Sequence, residues 1–231
     1  MKIVLIHGQN HKGSSYHIGR LIAEKTGSEG NLAEFFLPRD LNHFCTGCYA
    51  CVDDVTKCPF YEEKNRIMAE AESADLLIFT TPTYCLGESA PMKSFMDLTF
   101  NYWMSHRPRK CMFTKKAVVV STAAGSGAKK AVKQVANALF YWGIPRVWTY
   151  GITVQAMNWE GIRERKKQKI EKDAERIARK VTGKKRVKAG FRTRALFMLM
   201  RMMQKANMGS GAADRAYWEK NGWLGKDRPW R

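Results

Sequence analysis

The chain has 231 residues, 45% of them hydrophobic, and a formal net charge of +19. That is enough for one sizeable domain with a full core and an appendage, and no run approaches the ~18 apolar residues that a membrane span needs. The charge is uneven: residues 1–159 carry 18 Lys/Arg against 13 Asp/Glu, and residues 160–231 carry 22 against 8, so it describes the surroundings of the C-terminal third rather than the fold. The opening "KIVLIH" (2–7) is a short apolar run followed at once by polar and Gly residues. It reads as a buried first strand and not as a signal peptide, so the expected compartment is the cytoplasm, where thiols stay reduced. Helix-like stretches at 15–23, 60–73, 87–104, 127–142 and 159–182 alternate with β-rich runs "LAEFFL" (32–37), "DLLIFTT" (75–81), "KAVVVST" (116–122) and "PRVWTYGITV" (145–154). Continuous apolar strands between amphipathic helices imply a parallel sheet covered on both faces. The expected fold is α/β, a flavodoxin-like three-layer sandwich with a five-stranded parallel sheet over residues 1–182, plus a basic C-terminal helical extension over 183–231.

Ligands of such sheets sit beyond the carboxyl ends of the strands. After the first strand, "HGQNHKGSSYHIG" is a Gly-rich turn leading into a helix with Ser14 and Ser15 at its start. Free amides and the helix dipole make that an anion site, to which Lys12 adds charge. Ser14 stands where a nucleotide P-loop needs Lys, and G-x-G-x-x-G is absent, so a terminal monophosphate fits better than a triphosphate or a dinucleotide. Taken alone, the loop reads equally as an ordinary N-capped helix. After the third strand, Pro82, Thr83, Tyr84, Cys85, Leu86 and Gly87 form an irregular loop whose amides and aromatic face suit a flat heterocycle. After the fourth, Thr122, Ala123, Ala124 and Gly125 are small enough to let a ring lie against the backbone. Either loop by itself is also a plain turn. The five histidines show no triad or metal spacing, and His7 and His17 read as structural or surface residues.

The chain resembles the flavodoxin-like NADPH-dependent FMN reductases, and among them the iron–sulfur flavoproteins. "ADLLIFTTPTYCLGESAPMKSFMD" is similar to that family's second flavin loop, with Pro82, Tyr84, Ser89, Ala90, Lys93, Phe95 and Asp97 in step. "GQNHKGSSYHIGRL" stands where the family has its phosphate loop, with Gln9 and His11 replacing the usual Ser and Arg, and Tyr16 the usual Thr. The resemblance covers roughly residues 1–155. It implies FMN, with the phosphate at the first loop (Gln9, His11, Lys12, Ser14, Ser15 and Tyr16) and the isoalloxazine between the 82–87 and 122–127 loops, Thr122, Ala123, Ala124 and Gly125 among them. No protein nucleophile is then needed, because the ring carries the chemistry.

Four of the six cysteines fall in Cys45-x2-Cys48-x2-Cys51-x6-Cys58-Pro59. The run resembles the bacterial ferredoxin pattern with a longer last gap, and iron–sulfur flavoproteins use such a run at this place, which implies a 4Fe–4S cluster near the flavin. Zinc, a disulfide pair or plain reduced thiols are the other readings. Cys85 and Cys111 read as buried small apolar residues. In the tail, the unbroken "ALFMLM" with Arg192, Arg194, Arg201 and Lys205 around it needs a cover. A second subunit (a homodimer or higher homo-oligomer), the chain's own domain, or a membrane surface would serve. Trp218, Trp223 and Trp230 could stack on bases, yet no nucleic-acid-binding motif occurs, which argues against that partner. Two enzymatic versions compete. One is a cluster-containing electron carrier between a ferredoxin-like donor and FMN. The other is a cluster-free reductase passing hydride from NAD(P)H through FMN to a quinone, nitro compound or other small-molecule acceptor. A non-enzymatic flavin- or nucleic-acid-binding module is the reading from another class.

Overall fold

The computed structural model describes residues 1–27, 30–183, 187–208 and 211–231. In chain order the elements are β1 (Ile3–His7), α1 (Ser14–Glu24), β2 (Leu32–Phe36), α2 (Leu37–Asp40), α3 (Ala50–Asp53), α4 (Tyr61–Ser73), β3 (Leu76–Tyr84), β4 (Gly87–Glu88), α5 (Ala90–Leu98), β5 (Lys116–Ala123), α6 (Ala128–Tyr141), β6 (Arg146–Thr153), α7 (Glu164–Thr182), α8 (Phe191–Lys205) and α9 (Ala212–Lys220). The strand order is β2-β1-β3-β5-β6, with β4 paired to β3. The five long strands are parallel, in register Ile3↔Leu32, Ile3↔Leu76, Leu76↔Lys116 and Lys116↔Arg146.

Side chains alternate across a strand, and each central strand feeds two cores. Val4, Ile6, Leu77, Phe79, Ala117 and Val119 pack with α4, α5 and α6 on one face. Ile3, Leu5, Leu76, Ile78, Val118 and Val120 pack with α1 and α7 on the other. This is the expected three-layer sandwich, and it explains why the strands read as unbroken apolar runs.

Two predicted helices are shorter than their sequence pattern. The 87–104 stretch splits because Gly87–Glu88 pairs antiparallel with Thr83–Tyr84. Its helix, α5, then starts after Ser89, with Pro in the first turn. It stops at Thr99, whose hydroxyl donates to the carbonyls of Phe95 and Met96, the local competition that Thr brings to a helix end. The 159–182 stretch becomes helical only at Glu164, because Asn158 Oδ1 accepts from the Gly161 amide and holds a turn.

The extension docks on its own domain. Phe197, Trp218 and Trp223 form a third core with Met104 and Phe113 from the α5–β5 connection, with Phe197 stacked on Trp218 at 4.7 Å. Trp218 Nε1 donates to His106 O (2.7 Å), Tyr217 Oη to Pro108 O (2.9 Å) and Gln204 Nε2 to Ser105 O (3.0 Å). The strip at 195–203 is covered on one side only: Leu199 and Met202 are 51% and 63% exposed, as is Phe191 at 86%. An uninterrupted apolar run winds around a helix at about 100° per residue, so a single partner surface cannot cover it. Phe197→Ala should cost about 3–5 kcal/mol, whereas Leu199→Ser should stay within about 0.5 kcal/mol, as an exposed change does. Urea unfolding of the two variants measures both.

Candidate functional site

β1, β3 and β5 are adjacent in the sheet, so the three loops leaving their carboxyl ends meet. Hydroxyls tie the loops together. Ser89 Oγ donates to Gly8 O (2.8 Å), and the Ser89 amide donates to Thr81 Oγ1 (2.9 Å). Gly8 N donates to Thr80 O (2.7 Å), and Thr83 Oγ1 lies 2.9 Å from Ser121 Oγ. A Cβ on Gly8 would sit 2.5 Å from Ser89 Oγ, so the first two loops approach at a distance that only glycine allows.

In the first loop, α1 begins at Ser14 behind an extended Gly13, with no side-chain cap and no acidic residue in its first turn. Its leading amides and dipole therefore face outward without a protein anion. Ser14 and Ser15 are buried at that end, Gln9 is half-buried, and His11 and Lys12 are exposed. Lys12 Nζ lies 5.6 Å from the centroid of the Tyr16 ring, and Tyr16 packs between His7 (5.0 Å) and Phe36 (6.0 Å). Behind it, His7 Nε2 is 3.1 Å and Nδ1 is 2.8 Å from Glu34 Oε1 and Thr80 Oγ1 respectively. The His7 hydrogen bond holds the Glu34 carboxyl below the usual carboxylate range, against partial burial. His7 is thus the structural residue expected. His17 stacks on Trp159 at 5.0 Å, and Lys167 Nζ lies 5.8 Å from the same ring. Trp159 and Lys167 were not legible as site neighbours, because both fell inside the predicted fifth helix.

In the second loop, Pro82 and Thr83 finish β3 and are half-buried, as is Gly87 in β4, while Tyr84 is exposed. Cys85 (φ 49°) and Leu86 (φ 63°) are the two left-handed residues of a two-residue hairpin turn, the backbone that a type I′ turn requires. Cys85 is therefore exposed and not the buried apolar residue expected, because a turn tip points away from the core. In the third loop, Thr122 and Ala123 are still buried in β5, and only Ala124 and Gly125 open to the surface. Gly127 has φ 97°, and a Cβ there would lie 2.9 Å from Leu86 Cα.

A separate cavity of about 500 Å³ is lined by all four clustered cysteines, together with Phe60, Met96, Phe100, Trp103 and His106. Cys45 and Cys48 are exposed, Cys58 is half-buried and Cys51 is buried, and burial pushes the Cys51 thiol up. All six cysteines are free in the structure. Gly47 (φ 70°) and Tyr49 (φ 56°) both take the left-handed backbone between the thiols, a sparsely populated region for tyrosine. Four thiols on one wall are the donor chemistry of an iron–sulfur or zinc group. Among the described residues, however, no three or more His, Cys, Asp or Glu side chains are gathered closely enough to hold an ion. The thiols are of the right chemistry for such a group, but they are not gathered into a ligand set. The cavity opens at the Met96–Phe100 end of α5, whereas Ser89 at the other end touches Gly8. A nine-residue helix spans about 13 Å, and that length separates the Gly8–Ser89 junction from the cysteine cavity.

A family model described as NADPH-dependent FMN reductase matches residues 1–156, which hold the sheet and all three loops. The chain belongs to that family. It is similar to an iron–sulfur flavoprotein of Methanocaldococcus jannaschii, 28% identical over 145 residues (59% of this chain, 70% of the relative). It is also similar to one of Archaeoglobus fulgidus, 27% identical over 133 residues (57% and 64%). Among solved structures, a flavone reductase superposes with a TM-score of 0.57 at 13% identity, covering 78% of this chain and 63% of that one. FerB, a flavoenzyme NAD(P)H:(acceptor) oxidoreductase of Paracoccus denitrificans, gives 0.52 at 20% identity, covering 78% and 96%. At these identities the structures speak for the fold alone.

Two outcomes test the geometry. Gly8→Ala and Gly127→Ala should each displace the loop edge and weaken flavin binding at least tenfold, read by fluorescence titration with FMN. Glu34 contributes stability that is full above the ordinary carboxylate pKa and lost as pH falls through its depressed value. Glu34→Gln should therefore flatten the acid limb of the stability–pH curve below about pH 5, measured by urea midpoints.

Proposed function

We propose that this family member is an oxidoreductase that holds FMN at the edge formed by the Gly8–Ser14, Pro82–Gly87 and Ala124–Gly127 segments. The observation that carries the reading is the uncapped start of α1 at Ser14, beside two loops whose backbone is fixed by the Ser89 and Thr81 hydroxyls. Its amides, with the Ser14 and Ser15 hydroxyls, would take a terminal phosphate. Tyr84 and the exposed Ala124–Gly125 backbone would border the ring. FMN bound there supplies the hydride- and electron-accepting chemistry; the chain binds it, orients it and leaves one approach open. The family description supports NADPH, and by extension NAD(P)H, as the electron source, with a small-molecule acceptor.

Within that reading, Cys45, Cys48, Cys51 and Cys58 would hold a 4Fe–4S cluster. Their common cavity and the two iron–sulfur flavoprotein relatives support this version over the cluster-free one, and a ferredoxin-like redox partner then becomes a possible donor. The exposed side of α8 is where a second copy of the chain would pack; a membrane surface is the competing occupant, although no helix among the described residues is long and apolar enough to cross one.

Heat release of the cofactor followed by mass identification should yield FMN. Combined Ser14→Ala and Ser15→Ala should weaken it, each lost bond to the charged phosphate being worth about 1.5–3 kcal/mol. Recovery of FAD would overturn the phosphate assignment. Anaerobically prepared chain should carry about four irons, lost in Cys48→Ala with FMN retained. Absence of iron after reconstitution would leave NAD(P)H oxidation through FMN as the working activity.

A further inference from the structure

The family match ends at residue 156, yet the extension beyond it packs behind the cysteine cavity, on His106 and Arg107. Asp214, fully buried in α9, is hydrogen-bonded to His106 and ion-paired with Arg107, two neighbouring residues of the α5–β5 connection. Its Oδ2 is 2.8 Å from His106 Nδ1, and its Oδ1 is 3.0 Å from Arg107 Nε. The same Arg107 guanidinium donates from its other end to the Cys51 carbonyl at 2.6 Å. His106 itself lines the cavity, edge-on to Phe100 at 5.0 Å, and its carbonyl is held by Trp218 Nε1. One carboxylate of the extension is thus linked, through an ion pair and a hydrogen bond, to the backbone of the one buried thiol in the run.

We propose that the C-terminal extension is the second half of the cysteine site, and that Asp214 is its positioning residue, holding Cys51 and His106 through Arg107 and a direct hydrogen bond. Three features favour this over simple support of the fold. Arg107 is almost wholly buried, so its charge is placed there at a desolvation cost that Asp214 offsets. Its planar fork is the group that can bridge a carboxylate and a carbonyl in fixed geometry. The bond ends on the Cys51 backbone and not on a helix or strand of the sandwich. The turn before it carries the left-handed Gly47 and Tyr49, and Cys51 itself sits in the four-residue helix α3. The proposal rests on the reading of the cavity as a working site, and it predicts a property of the thiol that does not depend on which group the cavity takes.

The test is residue-resolved alkylation of the full-length, FMN-loaded chain under native conditions, quantified by peptide mass. In Asp214→Asn, Cys51 should react about tenfold faster than in the native chain, the factor equivalent to losing one charge-assisted hydrogen bond of about 1.4 kcal/mol. Asp214→Glu should restore part of the protection. Cys111, half-buried on the same α5–β5 connection, should stay within about twofold, since Arg107 donates to the Cys51 carbonyl and lies four residues from Cys111 in sequence. If Cys51 and Cys111 accelerate together, the extension is general support and the proposal fails; it fails also if neither changes. Should Asp214→Asn lose its tryptophan emission signature, Arg107→Lys takes its place, because lysine keeps the charge but cannot reach both Asp214 and the Cys51 carbonyl. Iron content of the native chain is measured separately. A chain without iron whose Cys51 is still unmasked by Asp214→Asn keeps this proposal and sinks the cluster.

Discussion

The approach of Gly8 to Ser89 is the contact on which the flavin edge depends. β1 and β3 are neighbours, and their following loops must diverge to leave a floor for a ligand. Ser89 closes that gap from the start of α5, giving its hydroxyl to Gly8 O and its amide to Thr81 Oγ1. A side chain at position 8 has no room. With that junction fixed, the β3–β4 hairpin is aimed over the edge, Leu86 packs on Gly127, and the third loop is pinned in turn. The positions of Tyr84 and of the open Ala124–Gly125 backbone follow from a single small residue.

The same helix that begins at this junction separates it from the cysteines. α5 carries Ser89 at one end and the Met96–Leu98 wall of the cysteine cavity at the other, and Ser94 Oγ anchors the run leading into the cysteines by donating to His43 O at 2.6 Å. The cysteine segment therefore crosses α5 rather than hanging free from the strand edge. Sequence order placed the run on a loop after β2, which correctly gives its edge of origin. It does not give its destination, because a loop of more than twenty residues between β2 and α4 can end at either end of the helix it crosses.

The sandwich and the loop edge were legible because each rests on local pattern: unbroken apolar strands, periodic helices and small residues in the loops that follow. What was not legible depended on pairs distant in sequence. Gly87–Glu88 looked like a helix start because it precedes a good amphipathic run, and only its pairing with Thr83–Tyr84 makes it a strand. Cys85 looked buried by residue type, and the turn it occupies overrides type. Asp214, His106 and Arg107 carried no signal at all. Asp214 lies more than 100 residues from the other two, none belongs to a motif, and no single-chain pattern announces a carboxylate that reaches back across the fold.

The charge of the C-terminal third yields to the same argument. Composition presents it as a field awaiting an anionic partner. In the structure much of it is spent internally: Arg201 donates to the carbonyls of Trp223, Leu224 and Gly225, and Arg215 to those of Gln204 and Lys205 at the end of α8. Arg194 and Arg192 lie over the Trp230 and Phe140 rings at 5.7 and 5.5 Å. Guanidinium groups at helix ends and over aromatic faces satisfy orphan carbonyls and use the ring quadrupole, and each does so without any partner. A basic segment built this way needs no nucleic acid to explain its composition. Its arginines, with the tryptophan cluster, hold the extension on the domain, and through that hold Asp214 comes to lie behind the cysteines.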